Sequence, residues 1–231
     1  FRGPHPPRLL AEQLLVKGDR PANLLGRIFR VAVEVTGEDH LGHRPPRTAE
    51  TASGMLNAIG LANVGIDAFV RDKIPFLEKQ KTKIIVNVAG SMLQEYIEVC
   101  SVLADFERVD MIELNISCPN VDRGGIEFGA DPVMTEKTVS EVKKVFARPV
   151  IAKLGPMVTS IVAIAQAAEQ GGADALAIMN SAFGTAIDTE TWRPRLTNNR
   201  GGLTGPAIKP IALAMVDAVY QKCRLPIIGI G

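Results

Sequence analysis

Four side chains able to bind a flat polar molecule stand at corresponding places in this chain. Asn87, Asn115, Lys153 and Asn180 each lie at or near the end of an apolar run of the kind that forms a strand. In parallel α/β folds the carboxyl ends of all strands lie on one face, so three amides and one amine should converge there. An amide within an apolar strand costs several kcal/mol, on the order of 2–7, unless it is hydrogen-bonded. A planar ligand that both donates and accepts would satisfy the set, because amides do both. Cys118 follows Asn115 in the stretch "ELNISCPN" and precedes Pro119. The proline holds Cys118 extended and removes a ladder donor, so the thiol sits on a loop at the rim of the same face. There it suits a nucleophile or a general base. Cys100 lies on an apolar helical stripe and Cys223 near the end of the chain, and both read as inert buried thiols. The histidines are His5, His40 and His43, all far upstream of Cys118. That disfavours a papain-like thiol hydrolase.

Two glycine-rich segments accompany this set. "SGMLNAIGLANVG" (53–65) shows neither strand nor helix period and reads as a loop; its Asn57, Gly60 and Leu61 could close over a planar ligand. "GGLTGPAIKP" (201–210) is a glycine turn leading into a helix, where backbone N–H groups can hold an oxyanion or a ring oxygen.

The elements that must position these residues alternate regularly from about residue 83. "KIIVNVAG" reads as a strand and 91–106 as a helix with Ser91 as its N-cap and Leu93, Ile97, Cys100 and Ala104 on its apolar stripe. The strand "MIELNIS" follows, then a loop through Gly124-Gly125, a helix over 132–147, the strand "PVIAKL" and a helix over 159–171. "DALAIMN" is the next strand. A long polar, Gly-rich connection (181–205), a helix over 207–222 and a last strand, "LPIIGIG", complete the pattern. Strand–helix alternation of this kind implies right-handed βαβ units and a parallel sheet, buried on both faces. An open doubly wound sheet and a closed eight-fold barrel both fit the pattern.

Residues 1–42 behave differently, with one strand-like stretch from Ile28 to Val35. The chain has 231 residues, 46% hydrophobic and 22% charged, enough for one large domain or two small ones. A net charge of +1 gives no field that points to nucleic acid or an anionic membrane. No apolar run reaches the length of a membrane span. Three widely spaced cysteines suit neither a disulfide framework nor a metal site, and fit a reducing cytosol.

The stretches "PPRTAETASGMLNAIGLANVGI", "IIVNVAG", "ELNISCPNVDRGGIEFG", "NSAFGTAIDTETWRPRL" and "GGLTGPAIKPIAL…LPIIGIG" occur in order over about 44–231. Through them the chain resembles the dihydroorotate dehydrogenases, specifically the NAD-linked class 1B catalytic subunit. The resemblance implies an α/β fold, an FMN-binding (β/α)8 barrel, that oxidises dihydroorotate to orotate in pyrimidine synthesis. It makes Cys118 the catalytic base that takes the proton from C5 while a hydride passes from C6 to N5 of FMN. It assigns Asn57, Ala58, Ile59, Gly60, Leu61, Asn180 and Ser181 to substrate. Asn115 is assigned to substrate and flavin, and Asn87, Lys153, Met179, Gly205 and Gly231 to FMN. Lys153 is expected to stabilise negative charge near N1 of the reduced ring. Family members usually carry Thr at Ser181 and "KLSP" where this chain has "KLGP". The resemblance further implies dihydroorotate as substrate and a cytoplasmic homodimer. It would act with an iron–sulfur flavoprotein subunit that carries FAD and a 2Fe–2S cluster, with no metal on this chain.

Two departures shape the expectation. The family's early "ASG" and "KG" contacts are not evident in residues 1–42, where Lys17-Gly18 is a dipeptide match only. That segment therefore reads as anomalous, mis-translated or disordered, and 43–231 as a partial FMN-binding barrel domain. The chain stops within the glycine pair after the seventh barrel strand, so the barrel is expected to be incomplete at both ends. Five or six strands leave edges exposed, so poor solubility and weak FMN binding are expected. Two rival readings stand beside this one: a dihydropyrimidine dehydrogenase-type flavin barrel, and an inactive fragment of such an enzyme.

Overall fold

The computed structural model of the protein describes residues 31–117 and 129–230. Its main sheet has six parallel strands: β1 (Val31–Val35), β4 (Ile84–Val88), β5 (Met111–Asn115), β6 (Val150–Leu154), β7 (Ala175–Ile178) and β10 (Ile227–Gly229). Their order in space follows their order in the chain and never doubles back. A doubly wound sheet reverses at a switch point, whereas a sheet wound one way is the pattern of the (β/α)8 barrel. Winding therefore decides between the two architectures that the apolar pattern left open. Among the described residues the sheet remains open, with β1 and β10 at its edges. The strand-like stretch Ile28–Val35 supplies β1, which pairs in parallel with β4.

The strands are largely apolar because helices cover one face and the other closes on a small core of its own. Val86, Val88, Ile112, Leu114, Val150, Ala152, Leu154, Leu176 and Ile178 pack with buried residues of the helices α3 (Leu93–Ala104), α4 (Pro132–Val145), α5 (Ile161–Gln170) and α6 (Lys209–Tyr220). Side chains of opposite parity (Ile85, Met111, Ile151, Ala175, Ala177 and Ile228) form a separate small cluster on the inner face. Each large aliphatic side chain so buried contributes on the order of 1.5–3 kcal/mol.

Local chemistry sets the helix starts. Asp131 caps α4 by accepting from the Val133 N–H (2.7 Å), with Pro132 next to it, and Ser160 caps α5 at Ala163. Ser91 does not cap α3 as the sequence predicts. Met92 occupies the cap position, and the Glu95 carboxylate reaches back to accept from the Ser91 N–H and hydroxyl and from the Gly37 N–H. The buried stripe of α3 is Tyr96, Val99, Cys100 and Leu103, so only Cys100 of the expected four is fully inside.

Two segments that read as loops contain strands. β2 (Thr48–Thr51), β3 (Gly54–Asn57), β9 (Gly201–Thr204) and β8 (Ala182–Gly184) form an antiparallel sheet in that spatial order. Each has three or four residues, and all but β2 contain glycine, so intrinsic preference predicts nothing there. Pairing between distant segments creates them. Between β3 and β4 the chain turns through α1 (Gly65–Ala68), a π-helical stretch Phe69–Lys73 and α2 (Ile74–Leu77).

At the amino ends of the strands an aspartate staples neighbours together twice. Asp110, just before β5, accepts from the Ile84 N–H that opens β4 and pairs with Lys83 and Arg108. Asp174, just before β7, accepts from the Val150 N–H that opens β6 and pairs with Lys143. Burial pushes the Asp110 carboxyl up. The Lys83 hydrogen bond, the Ile84 N–H and the charges of Lys83 and Arg108 outweigh it and hold the group below the usual carboxylate range.

Replacing Asp110 with Ala orphans the Ile84 N–H and is expected to cost about 1–3 kcal/mol in urea unfolding. Asp110→Asn separates the charge. Because the folded pKa is depressed, the stability gap between wild type and this variant is full above the unfolded carboxylate pKa. It closes as pH falls through the folded value. A gap that persists unchanged into acid would show that the charge contributes nothing.

Candidate active site

The inner face of the sheet carries its polar residues toward the carboxyl ends. Asn87, Glu113, Asn115 and Lys153 share the parity of Ile85, Met111 and Ile151, so they stand on the face turned away from the helices. They form two levels. Asn87 is in register with Glu113, and two residues further along Asn115 is in register with Lys153.

Above them opens a cleft of about 330 Å³. Its lining includes Asn57, Ala58, Ile59, Gly60, Leu61, Asn115, Lys153, Asn180 and Ser181, so the structure brings together nine of the residues expected at the site. The rest of the expected set is distributed differently. Asn87 lies on the level beneath, 5% exposed. Met179 is buried and is not among the lining residues. Gly205 is not among the lining residues; its φ of +98° places it at the turn into Pro206–Ile208. Cys118 and Gly231 lie outside the described residues.

A relay of hydrogen bonds fixes the amides. The Asn180 amide donates to Ser117 Oγ (2.8 Å), and Ser117 Oγ donates to Asn115 Oδ1 (3.0 Å). Asn180 Oδ1 accepts from the Ser181 N–H (2.8 Å), and the Tyr96 hydroxyl, from α3, donates to the Asn115 carbonyl (2.9 Å). The loops above β5 and β7 are thereby locked together before any ligand arrives.

The opposite wall is the 57–61 segment at the end of β3. The Asn57 amide donates to the Gly202 carbonyl of β9 (3.3 Å). Gly60 (φ +76°) and Leu61 (φ +53°) both take left-handed backbone. A Cβ on Gly60 would lie 2.7 Å from the His43 ring, so this glycine serves close approach as well as the turn. Asn63 braces the turn from outside, donating to the Leu61 carbonyl and to Thr36 Oγ1 and accepting from the Gly65 N–H. Leu61 is a residue other than glycine held at positive φ by these contacts, in the wall of a cleft.

Charge in the cleft has one sign. Among the described lining residues Lys153 and Arg200 are the charged ones, and none is a carboxylate. Lys153 has no ion-pair partner among the described residues. On the level beneath, the Asn87 amide donates to Glu113 Oε1 (2.7 Å), and Asn87 Oδ1 is buried without a partner. A native protein rarely leaves a buried acceptor unpaired unless a ligand supplies the donor. This orphan carbonyl and the unpaired ammonium fit a planar group with N–H edges and an acquired negative charge, which is the chemistry of a flavin ring.

Ser117, Phe183 and Arg200 are among the lining residues that carried no sequence signal strong enough to single them out. Ser117 has the parity of Asn115, two residues on, and could have been found by extending the strand's alternation one step. Phe183 and Arg200 belong to or flank β8 and β9, whose pairing is not readable locally. The other two thiols are remote in chemistry. Cys100 is fully buried, and burial pushes its thiol up; burial and then Glu169 do the same to Cys223.

Asn87→Asp would set two carboxylates where an amide now bridges to Glu113. Like charges at that spacing raise the pair's pKa above the usual range. Stability relative to wild type is then retained below the unfolded carboxylate pKa and lost as pH rises through the raised folded value. The expected deficit at neutral pH is about 2 kcal/mol or more, read from urea midpoints against pH.

Comparison with known proteins shows the family. The family model described as dihydroorotate dehydrogenase matches residues 25–231. The catalytic subunit of dihydroorotate dehydrogenase B (NAD+) from Listeria welshimeri is 50% identical over 209 residues, 90% of this chain and 68% of that one. The subunit of the same name from Alkaliphilus oremlandii is likewise 50% identical, with the same coverage. Among solved structures, a dihydroorotate dehydrogenase of Eimeria tenella in complex with ferulenol superposes with a TM-score of 0.66 at 19% identity. That match covers 91% of this chain and 66% of the other, and it speaks to the fold. The chain thus spans about two thirds of the length of the proteins it matches. With a family model over most of its length and half of 209 aligned residues identical to those of these relatives, the chain belongs to the dihydroorotate dehydrogenase family.

Proposed function

We propose that this chain is the catalytic subunit of an NAD-linked dihydroorotate dehydrogenase that oxidises dihydroorotate to orotate in pyrimidine synthesis. The observation that carries this reading is the convergence of Asn57, Asn115, Asn180 and Lys153 in one cleft whose described lining holds no carboxylate. Membership of the family implies a flavin, and the reading takes it to be FMN. Asn87, Asn115, Lys153, Met179, Gly205 and Gly231 would hold it. When bound, FMN supplies the hydride acceptor.

The chain's own residues do the rest. Asn57, Asn115 and Asn180 present amide donors and acceptors to the ring edges of the substrate, and Ser181 adds a hydroxyl. The Asn180–Ser117–Asn115 relay fixes which atom each amide offers, so little reorganisation is needed on binding. The backbone of Ala58 to Leu61 closes one wall. Lys153, without an ion-pair partner among the described residues, places its positive charge where negative charge develops on reduction. Cys118, three residues beyond Asn115 at the end of β5, acts as general base and takes the proton from C5. That carbon lies next to a carbonyl, so a thiolate is basic enough.

Residues 43–231 carry every residue assigned to the reaction. The relatives' name, catalytic subunit, implies a partner subunit. The reading makes that partner an iron–sulfur flavoprotein with FAD and a 2Fe–2S cluster, acting with a homodimer of this chain in the cytoplasm. Among the described residues no helix is long and apolar enough to cross a membrane.

Cys118→Ser tests the assignment. Turnover of dihydroorotate at neutral pH should fall by at least about 10²-fold while FMN content stays at the wild-type level. The same assay with dihydrouracil separates the rival pyrimidine: wild type should prefer the carboxylated substrate. Unchanged turnover in the variant removes Cys118 from the chemistry, and a preference for dihydrouracil overturns the substrate.

A further inference from the structure

The first turn of α3 holds the carboxyl ends of three strands at once. Glu95 accepts from the Gly37 N–H (3.0 Å), beyond β1, and from the Ser91 N–H (2.7 Å), beyond β4. Tyr96, the next residue, donates its hydroxyl to the carbonyl of Asn115 (2.9 Å), the last residue of β5. Tyr96 is 1% exposed. Its ring packs so close to the turn after β4 that a Cβ on Gly90 would lie 3.2 Å from two ring carbons. Packing on this scale leaves the ring no room to swing, so the direction of the hydroxyl is fixed. Sheet pairing runs out at the same place. The register of β5 with β4 ends at Leu114, and that with β6 ends at Asn115. The tyrosine bond begins where the ladder stops.

Asn115 carries the relay. Its Oδ1 accepts from Ser117 Oγ (3.0 Å), which accepts from the Asn180 amide (2.8 Å), and all three residues line the cleft. The peptide that joins Asn115 to Ile116 sets where the Asn115 amide points and where Ser117 begins. Tyr96 is not among the lining residues, so it reaches the site only through that peptide. We infer that Tyr96 is a positioning residue for the substrate: its hydroxyl pins the Asn115 carbonyl and thereby holds Asn115 and Ser117 in the arrangement that grips the ring. This rests on the proposed function and adds to it a residue that does not touch the ligand. A buried hydrogen bond suits the task because it is directional and water does not compete for it. A misplacement of about 1 Å in such a site can cost about 10²-fold, so one hydroxyl suffices.

The test is calorimetric titration of the purified protein, supplied with FMN, with orotate, alongside thermal melting. Tyr96→Phe keeps the ring and withdraws the hydroxyl, and it should weaken orotate binding by about tenfold. Asp110→Ala loosens the amino ends of the strands instead. It should lower the melting midpoint and leave orotate affinity at the wild-type value. Ser117→Ala should also weaken orotate. Because both residues act on one segment, the double variant Tyr96→Phe/Ser117→Ala should lose less than the product of the two single losses. Orotate binding by Tyr96→Phe at wild-type affinity overturns the inference. So does an Asp110→Ala variant that loses affinity to the same degree, and so do single losses that multiply. A Tyr96→Phe variant that does not fold assigns the hydroxyl to the fold and overturns it too. Each of these results leaves the proposed function standing. Wild-type protein that does not bind orotate overturns the proposed function, and this inference with it.

Discussion

Polar groups placed on the inside of an apolar sheet must be satisfied, and that constraint organises this molecule. The helices can cover only one face of the parallel sheet. The other face carries aliphatic side chains at the amino ends of the strands and Asn87, Glu113, Asn115 and Lys153 toward the carboxyl ends. Glu113 and Asn87 satisfy each other in part, and Asn115 is tied to Ser117 and Asn180. What is left over, Asn87 Oδ1 and the Lys153 ammonium, marks where something other than protein belongs. The cost of leaving a buried acceptor unpaired, about 1–3 kcal/mol, is the interaction a ligand recovers.

The remainder of the structure builds walls around that floor. The antiparallel sheet of β2, β3, β9 and β8 is made of segments more than a hundred residues apart in the chain, and it delivers Asn57 and Arg200 to the same opening. Glycines at 60, 201 and 202 are present because backbone or side-chain atoms stand only 2.0–2.7 Å from where a Cβ would be. At the other end of the strands Asp110 and Asp174 repeat one device, a carboxylate that ties the start of one strand to the start of another. Stability is thus concentrated at the amino ends and chemistry at the carboxyl ends, as in other barrels of this construction.

Much of this was readable from the residues, for identifiable reasons. The six parallel strands and four long helices follow from apolar periodicity, because burial on two faces writes itself into composition. The strand-end amides were legible because an asparagine in an apolar run is costly and so informative. The antiparallel sheet was not legible: β8 and β9 hold three glycines in seven residues, and only long-range pairing makes them strands. Arg200 was missed for the same reason, since its place at the cleft depends on that pairing. Ser91 was read as a cap because serine usually is one, and Glu95 took over the task through a tertiary bond to Gly37. The assignment of dihydroorotate rested on resemblance, because periodicity and spacing reach only a polar, thiol-edged site at the strand ends.

A structure of the protein determined with FMN and orotate bound tests the central claim most directly. The account predicts the orotate ring in the cleft, within hydrogen-bonding distance of the amides of Asn57, Asn115 and Asn180, with the flavin over Lys153 and reaching Asn87. Electron density for either ring elsewhere on the molecule, with these four side chains unliganded, would contradict it.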